Sequence, residues 1–147
     1  MKIKKPEYLY HGSPYKLKGK RLIPKKAKGA AKHDILKAVY ATDSKQYAIA
    51  MSLIACKGVG NSSLSVISKN KAKGIIYSGW PEQKEVYLYV LPSEEFVNIP
   101  KGSCQWVSFK SVKPICVKKL KLSDYIHLVR KASKKEIKKA KRRGWIK

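Results

Sequence analysis

Four side chains and one glycine in the first third of the chain have types and spacings suited to gripping a flat, amide-bearing ring. The stretch Tyr8-Leu9-Tyr10-His11-Gly12-Ser13-Pro14 reads as a short strand that stops at a His-Gly pair. Glycine carries no Cβ, so a planar ligand can lie close to its backbone and exchange hydrogen bonds with its N–H and C=O. A histidine beside it can donate to a sugar hydroxyl. A second stretch, Val39-Tyr40-Ala41-Thr42-Asp43-Ser44-Lys45-Gln46-Tyr47, runs from a strand into a helix. Ser44 and Tyr47 are three residues apart and share one helical face. A hydroxyl and the two phenol rings of Tyr40 and Tyr47 would hold and sandwich a small aromatic amide. The same residues have a plainer use: His-Gly ends a strand in a turn, Ser44 belongs to a helix cap, and the tyrosines fill a core. Spacing alone leaves both uses open.

The elements that must position these residues are short. Glu7–Tyr10 and Ala38–Ala41 have strand character. Asp43 opens a helix, with Gln46 three residues on in the spacing of a capping box. Tyr47, Ile49, Ala50, Leu53 and Ile54 give that helix its apolar face, and Gly58 and Gly60 end it. Tyr15–Ala31 is rich in Lys, Gly and Pro without any period and reads as a surface loop, pinned by Leu17 and by Leu22-Ile23-Pro24. Asn61–Lys73 is Ser-rich and ambiguous. Gly74–Tyr77, Val86–Leu91, Phe96–Ile99, Gln105–Phe109 and Pro114–Leu120 make a β-rich second half. A short helical turn follows from Ser123 or Asp124 to His127. Ser133-Lys-Lys-Glu136 heads a terminal helix to about Arg143. Its apolar stripe of Ile137, Ala140 and Trp145 is thin, so the helix is expected to pack weakly or fray. The sum is an α+β domain of six or seven short strands around one central helix, spanning residues 1–122. A basic, mostly helical extension occupies residues 123–147.

A chain of 147 residues with 44% hydrophobic content supports one core. No window approaches the roughly 20 apolar residues of a membrane span, and no apolar run follows the basic N-terminus, so a soluble, cytoplasmic protein without membrane association is expected. Cys56, Cys104 and Cys116 are scattered and include no C-x-x-C pair, which argues against a zinc site or disulfide framework and leaves no metal to expect. Net charge is the second strong signal: 34 Lys+Arg against 9 Asp+Glu, or +25. A field of that size attracts polyanions. Most of those cations are lysines, point charges rather than bidentate forks, which fits salt-sensitive, non-specific contact with nucleic acid.

The ordered set His11-Gly12-Ser13, Leu22-x-Pro24 and Val39-Tyr-Ala-Thr-Asp-Ser-Lys-x-Tyr47 resembles the first half of the catalytic domain of poly(ADP-ribose) polymerases and their diphtheria-toxin-like relatives. The RNA 2'-phosphotransferases are a second relative. The likeness covers residues 8–50 well and 75–120 loosely. It implies an ADP-ribosyltransferase-like split β-sheet core and NAD as co-substrate. By the same likeness His11 binds a ribose hydroxyl, the Gly12 backbone and Ser44 pair with the nicotinamide amide, and Tyr40 and Tyr47 flank its ring. The implied catalytic set is His11, Tyr40 and the position of a family glutamate. That position here is Gln105, in Gln105-Trp-Val-Ser-Phe109. An amide accepts a hydrogen bond but offers no negative charge to a developing cation, a loss on the order of 10²–10³ in rate. Glu94 and Glu95 are the nearby carboxylates that could replace it.

The implied function is NAD-dependent mono-ADP-ribosyl transfer on or near nucleic acid. Poly chain growth does not fit an amide at position 105, and no arginine set near the pocket serves RNA 2'-phosphate transfer. The alternative is a catalytically weak or inactive module of the same fold that binds nucleic acid or another polyanion. A plain basic structural protein is the third reading.

Overall fold

The computed structural model describes residues 5–17, 19–26, 37–68 and 71–146. Within them the chain runs β1 (Tyr8–Ser13), β2 (Lys25–Lys26), β3 (Lys37–Thr42), α1 (Lys45–Ile54), β4 (Ser62–Ser68), β5 (Lys71–Ile76), β6 (Glu85–Pro92), β7 (Val97–Asn98), β8 (Gln105–Ser108), β9 (Cys116–Lys121), α2 (Leu122–Tyr125), a 3-10 turn (Ile126–Leu128), β10 (Val129–Lys131) and α3 (Lys134–Arg142). The fold is mixed α+β, mostly sheet, with three helices among the described residues.

The strands form two sheets. The larger has the order β7-β8-β3-β1-β6-β9, with β2 attached to β3. The smaller has the order β10-β5-β4, and β10 runs parallel to β5. Helix α1 lies between them, packed on β1 and β6 of one sheet and on β5 of the other. Alternation explains the two cores. Val86 and Leu88 of β6 point to α1 and join Ala48, Ile49, Leu53, Ala72 and Ile76. Tyr89 and Leu91 point the other way and join Leu9, Val39, Ala41, Phe96 and Trp106.

Several boundaries differ from those expected. The N-cap of α1 is Ser44, not Asp43: its side chain accepts from the Tyr47 N–H at 3.2 Å. The Gln46 side chain is drawn instead to the Ala72 N–H at 2.6 Å. The helix ends at Ile54, before Gly58, and the ambiguous Ser-rich segment forms β4 and the start of β5. Leu122, Leu128 and Val129 are buried in the α1 core. The segment after residue 122 therefore completes the small sheet and its core rather than merely trailing from them. Of the expected 15–31 loop, Leu17 packs on the second core and Leu22 bridges to Val112, while Ile23 is exposed. Residues 18 and 27–31 of that loop lie outside the described residues.

Candidate functional site

Three adjacent strands carry the candidate residues. β8 pairs with β3, and β3 with β1. Gln105 therefore sits opposite Thr42, and Thr42 opposite Tyr10, in one row across the sheet. His11 and Tyr40 lie on neighbouring strands.

Strands β1 and β3 share only the Tyr10–Thr42 register position. Beyond it they part, and the half-buried His11 ring stands in the opening. Its Nδ1 lies 2.7 Å from the Tyr40 carbonyl oxygen. A carbonyl only accepts, so Nδ1 carries the proton and Nε2 is the acceptor nitrogen. Burial pushes the His11 pKa below its ordinary value, against the hydrogen bond to Tyr40, and the Lys25 charge lowers it further. The ring is thus held neutral in one tautomer. It offers a lone pair to a hydroxyl, where the sequence suggested a donor. Its edge meets Tyr89 in a T-shaped contact at 6.1 Å, and the Tyr89 hydroxyl accepts from the Leu17 N–H at 2.7 Å. The loop after β1 is thereby tied to the residue that seats His11.

The close approach that Gly12 permits is taken by α1. A Cβ at Gly12 would fall 1.8 Å from the Ala48 carbonyl oxygen. Tyr47 immediately precedes that crossing and Ser44 lies one helical turn back from it, so the first turn of α1 is brought to the Gly12 end of β1. Ser44 itself is fully buried, and its hydroxyl accepts from the Tyr47 N–H, with its own N–H given to Thr42 Oγ1 at 3.1 Å. The plainer use read for it in the sequence is the one its surroundings define. Tyr47 is partly buried and packs against the α1 core, as does Tyr10.

Sheet register separates the remaining pair. Directly paired residues, and residues two apart, share a face. Gln105, Val107, Tyr40, Thr42 and Tyr10 therefore share one face, and His11 projects from the other, toward Tyr89. His11 and Gln105 meet the opening between β1 and β3 from opposite faces, not within one shared wall. Gln105 Nε2 donates to the Ile99 carbonyl at 2.9 Å, which orients the amide toward the turn before β8. Glu94 and Glu95 are exposed beyond the Tyr8 end of β1, where Glu95 pairs with Lys110 at 3.7 Å. Three residues of strand, about 10 Å, separate Tyr8 from His11, so neither carboxylate lies beside His11.

A feature not anticipated from sequence is a cleft of about 500 Å³ at the start of α1, lined by Tyr10, Asp43, Lys45, Gln46, Tyr125 and His127 among others. Asp43 also accepts from Trp106 Nε1 at 3.3 Å. No local signal joins Tyr125 and His127 to this wall; the chain's return through β10 brings them there. Compared with family models, curated proteins and solved structures, the chain matches none of them. Among the described residues, no helix is long and apolar enough to cross a membrane.

Proposed function

We propose that this protein binds NAD at the opening between β1 and β3 and acts as a mono-ADP-ribosyltransferase-like domain. The observation that carries the reading is the His11–Tyr40 arrangement: a neutral imidazole fixed by a strand carbonyl, with Nε2 as acceptor for a ribose hydroxyl. The convergence of Gly12 with the first turn of α1 supports it. In this reading His11 holds the ribose, the Gly12 backbone meets the amide, and Tyr40 and Tyr47 border the ring. Ser44 acts by fixing the helix turn that presents Tyr47. Transfer breaks the bond between nicotinamide and ribose. The electron pair leaves with nicotinamide, and the acceptor nucleophile gives up its proton as it joins the ribose. Gln105 adds no charge to steady the cationic sugar, so turnover is slow.

The test is the melting temperature with and without NAD. A ligand that binds only the native state at 100-fold its Kd adds about 2.7 kcal/mol. For a chain of this size that is on the order of 5–10 °C. Loss of the shift in His11→Ala supports the site. No shift at millimolar NAD removes the reading.

One observation favours a second reading, a module without turnover. The position expected for a carboxylate holds an amide already committed to Ile99, while the chain carries a net +25 charge suited to polyanions. Binding of NAD without release of nicotinamide is the result expected of it.

A further inference from the structure

The C-terminal helix is more firmly built than its composition suggests. At its start Ser133 accepts from the Glu136 N–H, and Glu136 accepts from the Ser133 N–H, a complete capping box. At its end Gly144 adopts φ +75°. The Gly144 N–H reaches the Lys141 carbonyl at 3.1 Å, and the Trp145 N–H reaches the Ala140 carbonyl at 2.9 Å. That pair of bonds is a Schellman closure, which sets the residue after the glycine against the last turn. Ala140, the residue it closes on, is fully buried. Trp145 is therefore placed by the backbone rather than left on a tail, yet its side chain remains 59% exposed.

Arg143 links this ring to a basic groove. Lys135, Lys139, Arg142 and Arg143 line a groove of about 410 Å³ along the helix. Lys135, Lys139 and Arg142 follow the i, i+4, i+7 spacing of one stripe, spanning roughly 10 Å of axis. The only acid of the helix, Glu136, is held by Arg130 through two hydrogen bonds of 2.7 and 2.8 Å. Glu136 also lines the groove, but its charge is shared with Arg130, so the four cations of the groove outweigh it. The Arg143 guanidinium lies over the Trp145 ring, 5.3 Å from its centroid, which orients the ring and covers one of its faces with a cation.

We propose that α3 and Trp145 form a docking surface for single-stranded nucleic acid, with phosphates along Lys135, Lys139 and Arg142 and one base stacked on Trp145. A row of cations beside an exposed, fixed aromatic face is the pairing that single strands use. A duplex keeps its base faces inside the stack and has nothing to lay on the ring. An acidic peptide matches the charge but leaves the ring without a partner. This surface lies apart from the His11 opening, so the proposal does not depend on NAD binding.

The test is a tryptophan fluorescence titration of the full chain with a 12-nucleotide oligo(dT), a 12-base-pair duplex and polyglutamate. The parent is expected to bind oligo(dT) most tightly, with quenching. Trp80 sits beside Lys131, just before α3, so the titration is read in a Trp80→Phe background; there Trp145→Phe should keep the affinity but lose the quenching, since Trp106 is buried. Trp145→Ala should weaken binding roughly tenfold. The triple variant Lys135→Gln, Lys139→Gln, Arg142→Gln should flatten the slope of log K against log salt by about 2, from three contacts at roughly 0.7 each. Quenching that survives Trp145→Phe, equal affinity for duplex or polyglutamate, an unchanged salt slope, or no binding to oligo(dT) would each overturn the proposal.

Discussion

His11 Nδ1 and the Tyr40 carbonyl oxygen are 2.7 Å apart, across strands β1 and β3, which share a single register pair. A side chain thus replaces a ladder bond there. The same contact satisfies a strand carbonyl, fixes the tautomer of the ring and keeps β1 and β3 in register past their single pair.

Acid should weaken the fold through His11. Burial lowers its pKa from the ordinary 6.5, so the unfolded chain binds a proton more readily than the folded one. Stability from this group is complete above about pH 6.5 and is lost as pH falls through the lower folded value. Thermal melts between pH 7.5 and 5 should fall in that window. His11→Gln should flatten the dependence there.

Gly12→Ala should damage the fold before it damages any site. The added methyl would meet backbone, the Ala48 carbonyl oxygen at 1.8 Å, so β1 or α1 must shift. A cost of about 1–3 kcal/mol is expected in chemical denaturation. A stable variant with native melting behaviour would show that the strand–helix crossing is looser than described.

Gln105→Glu separates two effects. The Ile99 carbonyl loses its donor and faces a carboxylate, which should cost about 1–3 kcal/mol of stability. In the NAD reading the new charge also raises nicotinamide release, measured by product formation at a temperature where both proteins are folded. Lower release from a folded Glu variant would count against Gln105 as the catalytic position.

Ser133→Ala should cost about 1 kcal/mol, the usual worth of an N-cap, seen as faster amide exchange in α3. Its partner Glu136 is pushed down to about 2, first by the Arg130 guanidinium and then by the Ser133 N–H. The box is intact above the ordinary 4.5 and is lost as pH falls through about 2. Glu136→Gln keeps an acceptor for the Ser133 N–H but loses the Arg130 ion pair, so it should loosen α3 less than Ser133→Ala does.

Thiol labelling should be ordered by burial. Cys116 is exposed, Cys104 intermediate and Cys56 buried. Burial raises the Cys56 thiol to about 11, so few thiolates form at neutral pH. Cys116 should react first and Cys56 only on unfolding, as peptide mapping after timed alkylation would reveal.

Much of this architecture was legible because burial and periodicity agree. β6 alternates its two apolar faces in sequence and in space, and the S-x-x-E signal headed α3 where it was read. The start of α1 was misread by one residue because Asp43 and Ser44 are both good caps, and tertiary contact with Ala72 claimed Gln46. β4 was obscure because a Ser-rich edge strand needs β5 beside it to be a strand at all. β10 has three residues and no local signature; only its parallel partner makes it. Types and order alone suggest His11, Gly12 and Tyr40 as candidate site residues. The face on which each projects was not legible, since that depends on which strands pair. Trp145 was counted as part of a thin apolar stripe. The signal that places it was the Gly144 before it, in the position where helices end.

Strand β9 forms one rim of the larger sheet, with its outer N–H and C=O groups facing away from β6. Within its six residues lie Lys118, Lys119 and Lys121, all exposed. An open rim is a template on which a second copy could add a strand, and lysines there repel that copy. Charge placed on this rim opposes strand addition by a second copy, with Lys119 sharing its charge with Glu85 at 3.3 Å. Acetylating those three lysines would leave the sheet intact and remove the repulsion between rims.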